Sequence, residues 1–172
     1  MDFGHYTAQG AALAVDLVNA FHADGMRARP GVVPAHAQWN ATTADRLRDV
    51  AERLHRTFIS DDDAQAVTTL NDLLSDLPIT PRLSTHDGRP AHLHYAPDDT
   101  DAVVRLACNA AMAVTAIVSE HGVGRLSVCA APSCGTAFVD TSRNGQRRFC
   151  SPACANRTHV AAHRQRATTE PT

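Results

Sequence analysis

Apolar side chains recur every three or four residues near the start of the chain, which is the spacing of a buried helical face. They predict a first helix over residues 11–22, with Leu13, Leu17 and Phe21 on its apolar side. Residues 24–38 contain two glycines and two prolines and keep no period, so we expect a loop there.

Two further helices are predicted between residues 42 and 78. Thr42 and Asp45 have the spacing of a capping box and would begin the second helix. Its apolar positions are Leu47, Val50, Leu54 and Phe58. Ser60 would cap the third helix, since the acidic residues 61–63 suit the positive end of a helix dipole. Its apolar stripe is Val67, Leu70, Leu74 and Leu77, and Pro78 follows.

Between Pro81 and Tyr95, apolar and polar residues alternate around Asp87-Gly88, a favoured two-residue turn. This pattern predicts a β-hairpin. The faces of its second strand are Ala91, Leu93 and Tyr95 on one side, and His92 and His94 on the other. The two histidines could hold a second metal ion, but we expect them to be ordinary exposed side chains.

Residues 99–119 are apolar on nearly every side and predict a central, buried helix. A polar stripe of Asp101, Arg105 and Asn109 interrupts it. Gly122 and Gly124 would end it, and residues 125–128 would form a short strand-like connector. Because no stretch of about 20 residues is uninterruptedly apolar, and residues 1–5 do not resemble a signal peptide, we expect a soluble, cytoplasmic protein.

Charge divides the chain into an acidic body and a basic tail. The net charge of −2 conceals 9 arginines against 16 acidic residues (net −7) in residues 1–124, and 7 arginines against 2 acidic residues (net +5) in residues 125–172. There is no lysine, so every fixed positive charge is a guanidinium, which suits bidentate contacts to phosphate or carboxylate. Genome composition would explain the missing lysine equally well.

Four of the five cysteines form two close pairs. Cys129 and Cys134 are separated by 15 residues from Cys150 and Cys154, a pattern that suits the four ligands of one tetrahedral zinc ion. Four thiolates leave no open position, so the zinc would be structural. The alternatives are two disulfides or unliganded thiols. Cys108 lies apart, and we interpret it as a buried, inert thiol.

Between the two cysteine pairs, Asn144-Gly145 predicts a hairpin that joins residues 137–139 to residues 147–149. Ser151 and Pro152 would then open a helix. A knuckle, meaning a tight turn with two cysteines such as Cys129 and Cys134, is thus followed by a hairpin and a helix. This is the order of elements in a treble-clef zinc finger. Because a tail of 48 residues is too short for an adequate core, bound zinc would contribute most of its folding free energy, on the order of 10 kcal/mol.

The tail also carries the residues that we expect to contact nucleic acid. They are Arg143, Arg147, Arg148, Asn156, Arg157, His159, His163, Arg164 and Arg166. Asn156, Arg157, Val160 and Arg164 follow a helical spacing, so a basic ridge could enter a groove or follow a phosphate backbone. A solvated basic face, or one that docks onto an acidic protein surface, would have the same composition.

The tail closely resembles the CGNR zinc-finger family. The similar segments are 129–134, 138–145, 147–150 and Cys154-Ala-Asn-Arg157. Ala155 replaces the glycine of the family's name motif, and Phe149 stands where tryptophan is frequent. Neither is a zinc ligand.

The body is similar to the ABATE domain that precedes this finger in the family, through residues 10–19, Leu70-Asn71 and Asp87-Gly88. The resemblance implies a stress-induced bacterial transcription regulator. Its finger would bind DNA, and its larger domain would sense a small molecule or partner.

Four polar residues of the predicted helices could line an effector pocket: Asp16, Asn19, Arg105 and Asn109. A buried polar network that fixes helix packing explains them better. Since local catalytic motifs are missing, we do not expect an enzyme.

We therefore predict an α+β protein with a mostly helical domain and β-hairpin in residues 1–124, and a treble-clef-like zinc finger in residues 125–172. DNA is the expected partner, and a small-molecule effector and a homodimer are further expectations, since a single finger contacts few phosphates. A protein-interaction adaptor and an RNA-binding protein are the alternatives. We expect no membrane contact.

Overall fold

The structure is a computed structural model that describes residues 4–24, 29–85, 88 and 90–169. These residues form five α-helices, one short 3-10 helix (Val123–Arg125) and two antiparallel two-stranded hairpins. The helices are α1 (Gly4–Asp24), α2 (Ala41–Phe58), α3 (Asp63–Asp76), α4 (Ala102–His121) and α5 (Pro152–Thr169). The strands are β1 (Arg82–Ser84), β2 (His92–His94), β3 (Leu126–Val128) and β4 (Ala137–Val139). The expected α+β composition and mostly helical N-terminal region are confirmed.

Helices α1 to α4 form the body, and α4 packs against the other three. The backbones of α1 and α4 approach very closely at Gly10, where an added Cβ would lie 2.6 Å from the Ala113 Cβ. The central residues of α4 are almost all buried, as predicted. A single apolar core, which includes Leu17, Leu47 and Ile117, joins the four helices.

Helix α1 begins earlier than predicted and buries a different face. Ala11, Ala14, Leu17 and Val18 are buried, whereas Leu13 and Phe21 are only partly covered. Next to Gly10 this face consists of the small side chains of Ala11 and Ala14, since α1 lies so close to α4 there, and Leu17 and Val18 continue it further along the helix. The predicted period was right, but the largest side chains do not mark the centre of the contact.

The caps of α2 and α3 differ from the predicted ones. Asn40, rather than Thr42, caps α2: its Oδ1 accepts from the Thr43 amide at 3.0 Å, and the Thr43 hydroxyl accepts from the Asn40 amide at 2.9 Å. Asp62, rather than Ser60, caps α3 by accepting from the Ala64 amide at 2.9 Å. In both cases the side chain next to the first helical residue has the shortest reach to the free amides.

The apolar face of α2 is confirmed, because its four predicted residues are all buried. In α3, Val67 is 46% exposed, which contradicts its place in the predicted stripe. The buried positions of α3 are Ala66, Leu70 and Leu73, at spacings of four and three residues. Leu74 and Leu77 pack at the margin of the core.

Strands β1 and β2 form the predicted hairpin, with Leu83 opposite Leu93. The last pair among the described residues is Ser84 with His92. Asp87 of the predicted Asp87-Gly88 turn lies outside the described residues, so the type of turn stays a prediction. The faces are also the reverse of the usual arrangement, since Leu83 and Leu93 are 70% and 43% exposed. The histidine side is half-buried, which corrects the expectation of exposed histidines.

Strand β4 pairs with β3, in the register Leu126–Val139, Ser127–Phe138 and Val128–Ala137. The prediction that β4 pairs with residues 147–149 is therefore wrong. The β3–β4 hairpin packs on α1 and α2, and its Leu126 and Ala137 belong to the core of the body. Packing is thus continuous across residue 125, and the division into domains at that point stays a prediction.

Within the described residues, α4 is the one helix long and apolar enough to cross a bilayer, with a mean hydropathy of 1.7. This corrects the expectation that no stretch would qualify. In the most apolar window of α4, 61% of the residues are buried against the rest of the protein. Such burial is typical of a core helix.

Candidate metal centre

The four predicted zinc ligands converge on one point. Their Sγ atoms all lie within 4.8 Å of one another. Three of the separations, Cys134–Cys150, Cys150–Cys154 and Cys154–Cys134, are each 3.7 Å. Four sulfurs at about 2.3 Å from a central zinc ion would be about 3.8 Å apart, whereas a disulfide bond is about 2.05 Å long. The cluster therefore has the dimensions of a tetrahedral zinc site, and the disulfide alternative is not realised.

The first pair of ligands lies on the turn between β3 and β4. The Cys129 amide donates to the Thr136 carbonyl at 2.9 Å, and the Cys134 amide donates to the Ala131 carbonyl at 3.0 Å. These bonds curl the chain so that both thiols point inward. Gly135 has a φ of +65°, and an added Cβ would lie 2.5 Å from the Nε2 of His22. The positive φ favours glycine there, and a larger residue would also have to displace the His22 side chain.

The second pair lies where α5 begins. Ser151 Oγ accepts from the Cys154 amide at 3.3 Å, which caps the helix at the predicted place. The Cys150 amide donates to Cys129 Sγ at 3.4 Å, and Arg157 Nη2 donates to Cys154 Sγ at 3.1 Å. Donors of this kind stabilise negative sulfur, so they suit thiolates bound to a metal.

The pKa values of two cysteines in the cluster are shifted in opposite directions. Hydrogen bonds from Thr136 lower the pKa of Cys134 to about 6. Burial, followed by the neighbouring thiols, raises the pKa of Cys150 to about 12. Bound zinc deprotonates coordinating thiols outright, because its charge compensates the crowded thiolates. The charge of one structural zinc ion would therefore stabilise all four cysteines as thiolates.

Asp140 organises the loop between β4 and Cys150, and sequence reasoning missed it. It is only 1% exposed, and its carboxylate accepts from the Ser142 and Arg147 amides at 2.8 and 2.7 Å. The Arg125 guanidinium binds the Asp140 and Ser142 carbonyls. Burial would raise the pKa of Asp140, but these hydrogen bonds and the charge of Arg125 outweigh it and hold the pKa below its ordinary value.

Asn19 joins the body to the finger. Its side chain accepts from the Ala137 amide at 2.8 Å and donates to the Ala137 carbonyl at 3.1 Å. It thereby pairs with β4 as a neighbouring strand would. The contact spans 118 residues of sequence, so no local spacing could have revealed it. The neighbouring residue Thr136 contacts Cys134 Sγ at 3.1 Å, which places this junction beside the metal cluster.

The other three residues of the predicted pocket have separate surroundings. Arg105 donates to the Asp98 and Thr100 carbonyls at 3.1 and 2.9 Å and so holds the loop before α4. Asn109 is half-buried. Asp16 is exposed and lines a largely apolar cleft of about 290 Å³ between α1 and β4. An effector pocket shared by all four residues stays a prediction.

All nine predicted nucleic-acid contacts are exposed. Arg147 lies over the Phe138 ring, with its Cζ 5.3 Å from the ring centroid, and also donates to the Cys150 carbonyl at 2.9 Å. Arg148 lies 6.0 Å from the Phe149 centroid, and the His159 ring meets Phe149 edge-on. Cation–π contacts of this kind hold a guanidinium in place without neutralising it. The finger thus presents ordered positive groups close to the metal cluster.

Helix α5 carries the remaining residues that were predicted to contact nucleic acid. Other parts of the protein cover this helix only near its start. Cys154 is its one buried side chain among residues 152–166, and every residue from His159 to Arg166 except Ala162 is exposed. The helix contains no acidic residue. Since α5 buries so little surface, its attachment depends on the metal cluster.

Comparison with known families agrees with this geometry. The sequence model of the CGNR zinc finger matches residues 125–167. The protein therefore contains a zinc finger domain, and its four cysteines are positioned to hold one zinc ion, as predicted. A search of curated proteins returned no match for the chain. The match covers the tail alone, so the ABATE-like interpretation of the body stays a prediction.

Proposed function

We propose that the protein is a DNA-binding transcriptional regulator of the cytoplasm whose zinc finger contacts the duplex. The observation that carries the proposal is α5: a helix of 18 residues, basic and free of acidic side chains, exposed over most of its length and fixed at one end by four thiols. At about 1.5 Å per residue it extends about 27 Å, enough to lie along a DNA groove.

In this proposal the zinc is structural and has no part in a reaction. It fixes the two knuckles and the start of α5 in an order like that of a treble clef, and so sets where the arginines project. Arg148, Arg164 and Arg166 are exposed cations that can contact phosphates. Arg147 and Arg157 act nearer the cluster, because their guanidinium groups bind the Cys150 carbonyl and the Cys154 thiol.

We propose that the acidic body acts as an ABATE-like sensing or assembly domain, in a stress response, and not as an enzyme. The cleft between α1 and β4 supports this role, since a small apolar effector there would touch both the body and the finger. The finger offers few phosphate contacts, so useful affinity would come from a homodimer.

A protein-interaction adaptor is the second candidate. Val160 is 49% exposed among the basic residues of α5, and an apolar side chain within a cationic face suits an acidic protein partner. RNA would be recognised by the same charges. Both alternatives are outcomes of the test below.

The test is a salt titration of binding to random duplex DNA, beginning at about 50 mM salt. Two double variants are compared, each removing two positive charges: Arg164→Ala with Arg166→Ala on α5, and Arg46→Ala with Arg56→Ala on α2. If both α5 arginines contact phosphate, the first variant reduces the slope of log K against log salt by about 2. The α2 variant leaves the slope unchanged.

No binding of zinc-loaded protein to DNA at about 50 mM salt would overturn the proposal. Equal slopes for the two double variants would remove α5 from the interface. Tighter binding to an RNA duplex of the same sequence would favour the RNA alternative. Arg147 and Arg157 are left intact because their loss would disturb the cluster as well as the charge.

A further inference from the structure

The pair His92 and His94 on β2 lies on the body, away from the thiol cluster in sequence. The two side chains share one strand face, and their Nε2 atoms are 3.1 Å apart, with ring centroids 5.0 Å apart. Two nitrogens bound to one metal ion at about 2.1 Å, and about 95° apart around it, are separated by about 3.1 Å. The pair already has the spacing of two neighbouring ligands.

The outer nitrogen of His92 fixes the state of the inner one. His92 Nδ1 lies 2.9 Å from the Pro90 carbonyl, which can only accept, so Nδ1 carries the hydrogen. Nε2 of His92 therefore presents a lone pair. In the metal-free protein His94 Nε2 donates its hydrogen into that lone pair, and one proton holds the two rings together. A metal ion binding to both nitrogens would replace this proton.

The surroundings of His94 suit ligation as well. Its side chain is 15% exposed, and Nδ1 lies 4.0 Å from Oδ1 of Asp98. Metal binding to Nε2 of His94 requires the hydrogen to move to Nδ1, and the Asp98 carboxylate near Nδ1 favours a hydrogen at that position. Among the described residues, Arg82 lies opposite His94 on β1. Its positive charge opposes a cation here, but its guanidinium lies 3.9 Å from the other oxygen of Asp98.

The pair is also rigidly supported. The Thr80 amide donates to the Tyr95 carbonyl at 2.8 Å, directly after β2. Ala96 is buried with Val104 and Cys108 of α4, and Tyr95 packs against this group. Since β2 is anchored to the central helix, the two imidazoles need little ordering when an ion binds.

We propose that His92 and His94 form a second metal site, which takes a divalent transition-metal ion with a preference for imidazole. Zinc, copper and nickel share that preference, and none of the three requires thiolate ligands. The remaining positions on the ion would be filled by water. This site is chemically distinct from the thiolate cluster, and the proposal does not depend on nucleic-acid binding.

Equilibrium dialysis of the full-length, zinc-loaded protein against Ni²⁺ tests the proposal. Zinc is measured in the same samples, so that exchange at the thiolates is counted. The variant is His92→Gln with His94→Gln. The control is His159→Gln with His163→Gln, which removes two histidines spaced four apart on α5, a spacing that also permits chelation. Circular dichroism verifies the fold of each variant.

We expect one Ni²⁺ ion per chain in addition to the zinc, in the wild type and in the α5 control. Loss of outer-shell partners alone weakens metal binding 10- to 100-fold, so removal of both ligands should weaken it at least ~100-fold. X-ray absorption of the bound nickel should show nitrogen and oxygen neighbours. The proposal is overturned if the wild type binds no additional Ni²⁺, if the β2 variant still binds it, if the α5 control loses it, or if the nickel has sulfur neighbours.

Discussion

The body and the finger are held together by different means. The body buries a continuous apolar core between four helices, with Leu17, Leu47 and Val114 fully covered. The finger's separate cluster consists of Cys129, Cys154, Ala131 and Phe138, with Phe149 and the two other thiols packed against it. Apolar burial stabilises the first region, whereas four of the seven residues in the finger's own cluster are cysteines. We infer that bound zinc takes the place of a hydrophobic core in this cluster.

The two regions are nevertheless coupled, because β3 and β4 belong to both. Ala137 is buried in the core of the body, while Phe138 belongs to the cluster around the thiols. Side chains alternate between the two faces of a strand, so neighbouring residues of β4 contact different regions. Through this arrangement, a structural change in one region can alter the packing of the other.

The largest effect is expected from removal of a zinc ligand. Cys150→Ser should abolish zinc binding and unfold the finger, because structural zinc contributes about 10 kcal/mol or more in modules of this size. Amide hydrogen exchange should then lose protection in α5 and retain it in α4. Cys108→Ala, in the body, is the control and should leave the zinc content unchanged. Stoichiometric zinc in Cys150→Ser would contradict the four-thiolate site.

A substitution that creates a cavity in the body should lower the stability of the protein but leave zinc binding unchanged. Leu54 is fully buried, so Leu54→Ala should cost about 2–5 kcal/mol of unfolding free energy while the zinc content stays the same. Val67→Ala serves as control, since Val67 is 46% exposed and its loss should change stability by less than about 0.5 kcal/mol. Chemical denaturation of both variants measures the difference. Equal effects would refute the assignment of the core.

An intermediate effect is expected at the junction. Asn19→Ala leaves the amide and carbonyl of Ala137 without their partner, which should cost about 1–3 kcal/mol. Because the junction adjoins the first knuckle, zinc should also be released faster to a chelator. Asp16→Ala on the same helix removes an exposed side chain and should change neither quantity. If both variants release zinc at the wild-type rate, the two regions are not coupled through Asn19.

The smallest predicted effect is a pH dependence in the body. His55 stacks on His22, with centroids 5.6 Å apart, and burial followed by the charge of His22 lowers the pKa of His55. The folded state therefore favours neutral His55. The stability that neutral His55 contributes is fully present above the pKa of the unfolded chain, about 6.5. It is lost as the pH falls through the lower pKa of His55 in the folded protein. Wild type should lose more stability between pH ~7.5 and ~5.5 than His55→Gln does.

Thermal unfolding at the two pH values measures this difference. His36→Gln, in the exposed part of the loop before α2, is the matched control. Its pH dependence should equal that of the wild type. A His55→Gln variant as pH-sensitive as the wild type would show that His55 does not contribute.

Features set by local spacing were predictable from the sequence. The zinc ligands lie in two short segments, and the buried residues of α2 and α4 follow from helical periodicity. The partner of β4 was not predictable in this way. Asn144-Gly145 is a good turn sequence, but the loop around it is closed by the Asp140 carboxylate, which binds the Arg147 amide in place of a strand partner.

Contacts between distant segments account for most of the remaining errors. Asn19 was interpreted from its own helix, yet its partner is Ala137, 118 residues further along the chain. Near the close approach at Gly10, the small residues Ala11 and Ala14 are buried while the larger Leu13 is only partly covered. On β2, His92 and His94 are half-buried and Leu93 is exposed, the reverse of what their polarity suggests. Each outcome depends on tertiary packing, which periodicity alone does not contain.

We propose that bound zinc holds the arginine-bearing surface of the finger in the shape that nucleic acid requires. This is tested by binding of random duplex DNA at about 50 mM salt by zinc-loaded protein, by protein stripped of zinc, and by stripped protein after zinc is restored. We predict that binding is lost with the zinc and returns with it. Equal binding by the stripped protein, or none by the loaded protein, would contradict the account.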